Sequence, residues 1–311
     1  MMRMREVASG LAFPEGPVAL ADGSLLVVEI ARGTLTRIAP DGTLSVVADL
    51  GGGPNGAAIG PDGHVHVCNN GGFAWHRMEG LLFPGEQPPD YAGGSVQRVD
   101  LRTGAVETLF TRTVGADGVE RPLNGPNDIV FDATGGFWFS DLGKHRARER
   151  DRSGVYYCNA GGNAVREVAW GLDSANGVGL SPDGGTLYVA ETYTRQLWAF
   201  DLEGPGRIRP APGFFPHGGR FLAGAEGFRF FDSLAVDAEG HVCVATPGEG
   251  GISVYAPDGR LAEFLPTGDP YTTNLCFGGP DLRTAFVTLS ATGRVVALDW
   301  PRPGLPLAFS A

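Results

Sequence analysis

Six side chains that carry an oxygen atom recur at equivalent points of this sequence. Each opens a segment of similar pattern, and the six are Glu15, Asn55, Asn127, Asn176, Asp232 and Asn274. Carboxylate and amide oxygens are the ligands that calcium and other hard divalent cations prefer, and the set holds no His or Cys that would favour a zinc site. The alternative is that Asn and Asp only serve as turn residues where each segment begins.

The segments that follow these residues share one pattern. An apolar stretch leads to a tight turn, and a second apolar stretch follows it. The clearest copies are PNGAAIGPDGHVHVCN from Pro54, PNDIVFDATGGFWFSD from Pro126, ANGVGLSPDGGTLYVAE from Ala175 and FDSLAVDAEGHVCVAT from Phe231, with weaker copies from Pro14 and Thr273. Turn pairs such as Asp22-Gly23 and Asp62-Gly63 predict that each copy is a β-hairpin, after which a third strand usually comes.

Six in-phase copies without helical periodicity predict an all-β fold, a six-bladed β-propeller with a central metal site, formed as one domain over residues 1–311. A β-sandwich is the alternative architecture, but it would not explain six copies. We expect residues 4–10 to complete the last blade by pairing with the strand near Val295. Because inner strands line the channel of a propeller, the six oxygen-bearing residues should meet at one end of it. We call them the oxygen ring.

Composition limits the classes of function. The formal net charge is −11, and the one basic run, HRARERDR at 145–152, is interleaved with acids, so nucleic acid is not an expected partner. The sequence contains no stretch of about 18 apolar residues that would predict a membrane span, and the first residues lack the apolar core of a signal peptide. Cys68, Cys158, Cys243 and Cys276 show no CxxC spacing, which favours free thiols and a cytoplasmic protein. No GxSxG motif indicates a serine nucleophile.

Four motifs carry a resemblance to a known family. EGPV at 15–18, NGPNDIVFD at 124–132, ANGVGLSPDG at 175–184 and DSLAVDAEG at 232–240 resemble the senescence-marker-protein, gluconolactonase and luciferin-regenerating-enzyme family, also called regucalcin-like. The resemblance implies hydrolysis of a small lactone of the sugar or aldonic-acid type. It also implies one divalent cation, calcium first and zinc or manganese as alternatives, with these ligands: Glu15, Asn127, Asn176 and Asp232. Some relatives carry an Arg at the position of Gly125, so the identity of the sugar or acid stays open.

Asp232 is the predicted catalytic carboxylate. The oxygen ring contains two acids, and Glu15 precedes a stiff Gly16-Pro17 segment that suits a fixed ligand. The resemblance assigns the reacting carboxylate to the position of Asp232, where it would act as a general base or as a nucleophile. Two other functions stay open. One is an organophosphate or aryl-ester hydrolase of the diisopropylfluorophosphatase type, and the other is a calcium-binding propeller without catalysis.

The loops that follow the second strands should form the rim around the metal site. The longest runs from Asn69 to Gly94, and the segment 141–154 should form the neighbouring wall. We expect its charges to be mostly solvated, with Lys144, His145 and Arg146 as alternative contacts for an acidic product. The predicted contacts for a small lactone or ester are Asn55, Asn70, Trp75, His76, Asp141, Glu191, Tyr193 and Asn274. The oligomeric state stays open.

Overall fold

The computed structural model describes residues 4–213 and 215–310, and the regular secondary structure in this part of the chain is entirely β. The strands are β1 Met4–Ala8, β2 Pro14–Ala19, β3 Leu25–Glu29, β4 Thr34–Ile38, β5 Leu44–Asp49, β6 Pro54–Ile59, β7 Val65–Asn69, β8 Trp75–Met78, β9 Leu81–Pro84, β10 Ser95–Val99, β11 Val106–Phe110, β12 Arg112–Val114, β13 Glu120–Pro122, β14 Pro126–Phe131, β15 Phe137–Asp141, β16 Ser153–Cys158, β17 Val165–Leu172, β18 Ala175–Leu180, β19 Thr186–Glu191, β20 Gln196–Gly204, β21 Arg207–Arg209, β22 Arg220–Gly224, β23 Leu234–Val236, β24 Val242–Thr246, β25 Gly251–Tyr255, β26 Leu261–Pro266, β27 Thr272–Gly278, β28 Thr284–Leu289 and β29 Arg294–Asp299.

Six antiparallel sheets form the blades. From the inner strand outwards they are β2-β3-β4-β5, β6-β7-β10-β11, β14-β15-β16-β17, β18-β19-β20 with β21 and β22, β23-β24-β25-β26, and β27-β28-β29-β1. The short pair β12-β13 extends the third blade through β17, and β8-β9 forms a separate hairpin. The loop from Asn69 to Gly94 therefore has secondary structure of its own.

The inner strands close into a ring. Contacts run from β2 to β6, β14, β18, β23 and β27, and then back to β2. The all-β, six-bladed propeller predicted from the repeats is confirmed, and the sandwich is excluded. The first two strands of the first five blades meet at glycines with positive φ, between 68° and 89°, which is the left-handed conformation that favours glycine at such turns: Gly23, Gly63, Gly135, Gly184 and Gly240.

The sixth blade takes its outer strand from the beginning of the described chain. β1 pairs antiparallel with β29, with Met4 opposite Leu298 and Ala8 opposite Val295. An outer strand supplied in this way pairs the edge that β29 would otherwise expose, and this stabilises the closed ring.

Apolar side chains fill the space between neighbouring blades. Trp138 of the third blade and Trp198 of the fourth are both fully buried and belong to one cluster. The four cysteines are buried free thiols, as the spacing predicts. In the described part of the chain, no helix is long and apolar enough to cross a membrane.

The two ends of the central channel differ. The inner strands begin at one end, where the oxygen ring lies. A cavity of about 310 Å³ extends along the channel from Gly16, Asp128 and Asn274, at the oxygen ring, to residues 305–308 near the C-terminus at the other end. The Leu305 N–H donates to the carbonyl of Val236, and the Phe309 ring packs 5.8 Å from that of Phe131. The C-terminal residues thus cover the end of the channel opposite to the oxygen ring.

Candidate active site

The oxygen ring is closed by contacts between neighbouring blades. A glycine follows three of its members, and a Cβ on each of these glycines would lie less than 3.0 Å from the backbone of the next blade. The close approach brings the ring residues of neighbouring blades together. The contacts run from Gly16 to Asn55, from Gly56 to Asn127, from Ser140 Oγ to the Asn176 carbonyl, from Gly177 to Asp232, from the Ser233 N–H to the Thr273 carbonyl, and from Asn274 back to Glu15.

Backbone strain precedes two of the ring residues. Phe13 and Ser174 have φ values of 59° and 61°, and each lies two residues before a member of the ring. Their carbonyls accept hydrogen bonds from the N–H groups of Ile30 and Thr192, both 3.1 Å long, just beyond the second strand of the same blade. A bulky residue such as Phe keeps a left-handed conformation only where the surroundings hold it there. These bonds fix the direction from which Glu15 and Asn176 enter the channel.

Three buried or partly buried carboxyl groups converge at this end of the channel. Burial raises the pKa of Glu15 from 4.5 to about 7, against hydrogen bonds that lower it. Burial and then the charge of Glu15 raise the pKa of Asp128 to about 7. The same two causes raise the pKa of Asp232 well above its usual value. Within the described residues none of the three forms an ion pair, so together they form an uncompensated acidic centre.

Glu15 is held firmly in place. Its Oε2 accepts hydrogen bonds from Asn274 Nδ2 and from the Gly16 N–H, both 2.7 Å long. The Oδ1 of Asn274 in turn accepts a 2.7 Å bond from the Leu275 N–H, so both ends of this amide are engaged inside the protein. Asn274, a predicted substrate contact, therefore orients Glu15 in this structure. Asn55, the other predicted substrate contact within the oxygen ring, is buried to the same extent as Asn274.

Two ring amides have an oxygen that no close hydrogen bond satisfies. Asn127 Oδ1 is buried and has no hydrogen-bond partner among the described residues. Asn176 Nδ2 donates to Thr192 Oγ1 at 3.0 Å, so its other end is the oxygen, which has only a long 3.4 Å contact with Ser233 Oγ. A buried carbonyl oxygen without a donor is costly, and a cation satisfies it well.

These features fit a hard divalent cation. In residues 4–213 and 215–310, no three His, Cys, Asp or Glu side chains are grouped as metal ligands. A cation site here therefore depends on amide oxygens as well as carboxylates, which is the donor chemistry of calcium rather than of zinc. The fitting residues are those of the predicted ligand set, Glu15, Asn127, Asn176 and Asp232.

Two predicted substrate contacts are engaged by the protein itself. Asp141 is buried at the end of β15, and it accepts backbone bonds from Gly125 at 2.7 Å and from Asn124 and Gly143 at 2.8 Å. Glu191 at the end of β19 accepts from the Asp173 N–H, from Thr194 Oγ1 at 2.6 Å and from Trp198 Nε1 at 2.8 Å. Both carboxylates hold loops in place, and a substrate would find their oxygens already occupied.

The remaining predicted contacts form two different walls. Trp75 lies half-buried in an aromatic group, 5.1 Å from the ring of Phe13, whereas His76 points to an exposed surface. Phe13 also packs 5.8 Å from Tyr271. The partly exposed Tyr193 instead lies under the guanidinium of Arg150, whose carbon is 5.1 Å from the ring centroid. One wall is therefore aromatic, and the other combines aromatic and cationic groups.

Lys144 and Asp128 have buried positions that the sequence patterns do not indicate. The charges of 141–154 were expected in solvent, but Lys144 is only 3% exposed and burial lowers its pKa from 10.5 to about 8. Asp128 follows Asn127 directly, and no role is predicted for it from the sequence. Its Oδ2 accepts a 3.2 Å bond from the Val178 N–H of the next blade. The doublet Asn127-Asp128 could have signalled another carboxyl group inside the channel. Consecutive residues of a regular strand face opposite sides, but the pairing of β14 with β15 shifts between Pro126 and Ile129, and such a bulge can turn both residues towards the channel.

Comparison with known proteins supports one family. The family model described as SMP-30/Gluconolactonase/LRE-like region matches residues 13–291. A gluconolactonase of Zymomonas mobilis is 26% identical over 319 residues, which cover 91% of this chain and 78% of that protein. Diisopropyl-fluorophosphatase of Loligo vulgaris is 30% identical over 224 residues, covering 66% of this chain and 68% of that protein.

Solved structures share the fold. A gluconolactonase from Xanthomonas campestris superposes with a TM-score of 0.74 at 23% identity, over 96% of this chain and 90% of that one. A protein described as calcium-binding, regucalcin from Agrobacterium tumefaciens, gives a TM-score of 0.71 at 20% identity, over 98% of both chains. At these identities the likeness extends to the fold and no further.

Proposed function

Because the chain belongs to the SMP-30/gluconolactonase/LRE-like family, as its four motifs predict, we propose that it is a hydrolase that opens a small lactone ring. The reaction would take place at the end of the channel where the oxygen ring lies. The proposed substrate is a lactone of the sugar or aldonic-acid type, the class named for its Zymomonas mobilis relative. The four buried free thiols fit a reducing compartment, so the cytoplasm is its proposed location.

The observation that carries this proposal is the uncompensated acidic centre beside the unpartnered oxygen of Asn127. We propose Glu15, Asn127, Asn176 and Asp232 as ligands of one divalent cation, with calcium favoured over zinc or manganese. When bound, such a cation polarises an ester carbonyl and stabilises the developing oxyanion. A protein that shares the fold is described as calcium-binding, which supports the choice of calcium.

The protein groups have separate tasks in this scheme. Asn274 and the Gly16 N–H hold the Glu15 carboxylate, which is only 2% exposed and is shielded from an incoming water. Asp232 is partly exposed, so a water can reach its carboxylate. We therefore propose that Asp232 accepts the proton of the attacking water as a general base. The carboxylate is then restored when that proton passes to solvent or to the leaving alkoxide.

A second candidate is hydrolysis of an organophosphate or aryl ester. The aromatic wall of Phe13, Trp75 and Tyr271 favours it, because flat apolar groups bind well against aromatic rings. In that reaction the Asp232 carboxylate would attack phosphorus and expel the leaving group, and water would then hydrolyse the covalent acyl phosphate and restore the carboxylate. The third possibility, cation binding without catalysis, predicts that calcium binds and that no ester is hydrolysed.

A pH-indicator screen tests the proposal. The purified protein is freed of metal with chelator, reloaded with calcium, zinc or manganese, and offered aldonolactones, aryl lactones and organophosphates. We expect metal-dependent acid release from at least one lactone. Release from organophosphates alone would support the second candidate. No turnover with any ester, while calcium still binds, would contradict the proposed enzyme.

A further inference from the structure

Lys144 is the only lysine in the chain, whose 24 Lys and Arg residues are otherwise all arginine. It is also buried, in the loop between β15 and β16 at the end of the channel where the oxygen ring lies. An ammonium group loses its hydration on burial, so it needs compensating contacts. A single lysine placed in such a costly position calls for an explanation beyond surface charge.

The contacts of Lys144 join two loops of the rim. Its Nζ donates a 2.6 Å hydrogen bond to the carbonyl of Gly72, in the loop after β7. The ammonium also lies 4.6 Å from the ring centroid of Phe73 and 5.1 Å from that of Tyr91. Within the described residues it forms no ion pair, although the nearby charges of Asp141 and Asp151 favour the ammonium. This carbonyl and the two aromatic faces are its direct contacts.

Gly72 connects Lys144 with a side chain that has a free donor. The Gly72 N–H donates to Asn70 Oδ1 at 2.8 Å, which fixes the carbonyl end of that amide. Asn70 is 1% exposed, and its Nδ2 is buried without a hydrogen-bond partner among the described residues. The end of the Asn70 amide that lacks a partner is therefore an N–H donor. A ligand group that hydrogen-bonds to it must offer an acceptor oxygen.

Asn70 lies beside the oxygen ring. Its backbone N–H donates at 2.8 Å to the carbonyl of Gly53, two residues before Asn55. A Cβ at Gly53 would come within 2.4 Å of Asn70 Oδ1, so the side chain is tightly placed. The turn itself needs glycine, because Gly71 and Gly72 have φ values of 78° and 90°.

We propose that Lys144 is a positioning residue for Asn70, and that Asn70 Nδ2 donates a hydrogen bond to an oxygen of the lactone or of its acid product. Lys144 acts through Gly72: the carbonyl that it holds belongs to the Gly72–Phe73 peptide, and the N–H that orients the amide belongs to the Gly71–Gly72 peptide. The two planes meet at the Gly72 Cα, so holding one restricts rotation of the other. The compact ammonium suits the gap between the two rings, whereas the planar guanidinium of arginine does not. The substrate named in this inference rests on the proposed lactone hydrolysis. The hydrogen-bond linkage from Lys144 through Gly72 to Asn70 does not depend on that function.

A double-mutant cycle separates this role from a merely structural one. The variants are Lys144→Met, Asn70→Ala, the double variant, and Arg148→Met, an exposed cation of the same loop, as control. We expect Lys144→Met and Asn70→Ala each to lower kcat/KM about tenfold, a typical loss for one hydrogen bond. In the Asn70→Ala background, Lys144→Met should cost less than about twofold more, because the group that it positions is absent. Equal losses in both backgrounds would overturn the proposal, as would full activity of Asn70→Ala.

A second measurement does not depend on activity. Because the chain has one lysine, a ¹⁵N-labelled sample gives a single Nζ resonance. We expect slow proton exchange at that ammonium in the parent protein, and faster exchange of the Gly72 amide in Lys144→Met than in Arg148→Met. Rapid Nζ exchange, or an unchanged Gly72 amide, would overturn the linkage. If no lactone is hydrolysed while both signals behave as expected, the proposed function fails and the positioning role remains.

Discussion

Two sets of buried carboxylates lie near the same end of the channel, and they differ in how their oxygens are used. Glu29, Asp141 and Glu191 end the second strands of three blades, and we call them the loop carboxylates. The Glu29 oxygens accept from the Ala12 N–H and from Thr36 Oγ1, both at 2.6 Å, while Asp141 and Glu191 accept three bonds each. The oxygen ring instead leaves Asn127 Oδ1 without a donor, and the charge of Glu15, together with burial, raises the pKa of Asp232 and of the neighbouring Asp128.

The difference teaches that burial alone does not identify a catalytic acid. A carboxylate whose oxygens accept hydrogen bonds from backbone and side-chain donors of the protein stabilises a loop, whereas a carboxylate beside other acids needs a cation or a proton. The loop carboxylates therefore contribute to stability, and the acids of the oxygen ring and channel contribute to binding and chemistry. Substitutions in the two sets should separate these properties.

The largest expected effect is on turnover in Asp232→Asn. This variant keeps the size and one potential ligand oxygen but removes the proposed base. We expect kcat to fall at least about a hundredfold, the usual contribution of a positioned general base, with little change in melting temperature. Lactone hydrolysis is measured with the metal site saturated. Hydrolysis at the parent rate would contradict the assigned role.

The matching substitution among the loop carboxylates is Asp141→Asn. The new amide places an N–H group against at least one of the three backbone donors, so a buried donor loses its acceptor. We expect the free energy of unfolding to fall by about 1–3 kcal/mol, with turnover per folded molecule reduced less than about tenfold. Urea unfolding and the lactone assay measure both properties. If turnover per folded molecule falls more than about tenfold while the free energy of unfolding hardly changes, Asp141 belongs with the catalytic groups.

Lys144 should make stability depend on pH in the alkaline range. Its pKa is about 8 in the folded protein against an ordinary 10.5, so below pH 8 the folded state carries the full cost of burying the charge. Between about pH 8 and 10 the unfolded chain binds more protons, and stability rises with pH by up to about 1.4 kcal/mol per unit relative to Lys144→Met. Urea unfolding of both proteins at pH 7 to 10 measures this. If the free energies of unfolding of the two proteins change in parallel with pH, the lowered pKa of Lys144 is contradicted.

The smallest effect is expected for Asn55→Ala. Asn55 belongs to the oxygen ring but lies outside the proposed ligand set, and the acidic centre is formed by other residues. We expect turnover and calcium affinity to stay within about threefold of the parent values. A change of that size is smaller than the effect of losing one good hydrogen bond. Calorimetry and the lactone assay measure these values. A loss as large as that of Asp232→Asn would add Asn55 to the metal ligands.

The propeller and its oxygen ring could be predicted because both follow from a repeat. Equivalent positions in six copies, such as Glu15 and Asn176, must lie at the same end of equivalent strands. The rim could not be predicted in this way. The Lys144 bond to Gly72 joins loops of different blades, and no repeat relates those loops. Nor could the sequence indicate that Asp141 is saturated, because its three donors are backbone groups whose direction depends on the folded loop.

Cation binding by the oxygen ring tests the central claim most directly. Metal-free parent protein, Asn127→Ala and Asp141→Asn are titrated with calcium in a calorimeter, and with zinc and manganese for comparison. We predict one calcium ion per chain for the parent and for Asp141→Asn, and an affinity at least about tenfold weaker for Asn127→Ala, since even indirect partners of a metal contribute that much. Absence of cation binding by the parent, or equal affinity in Asn127→Ala, would contradict the account.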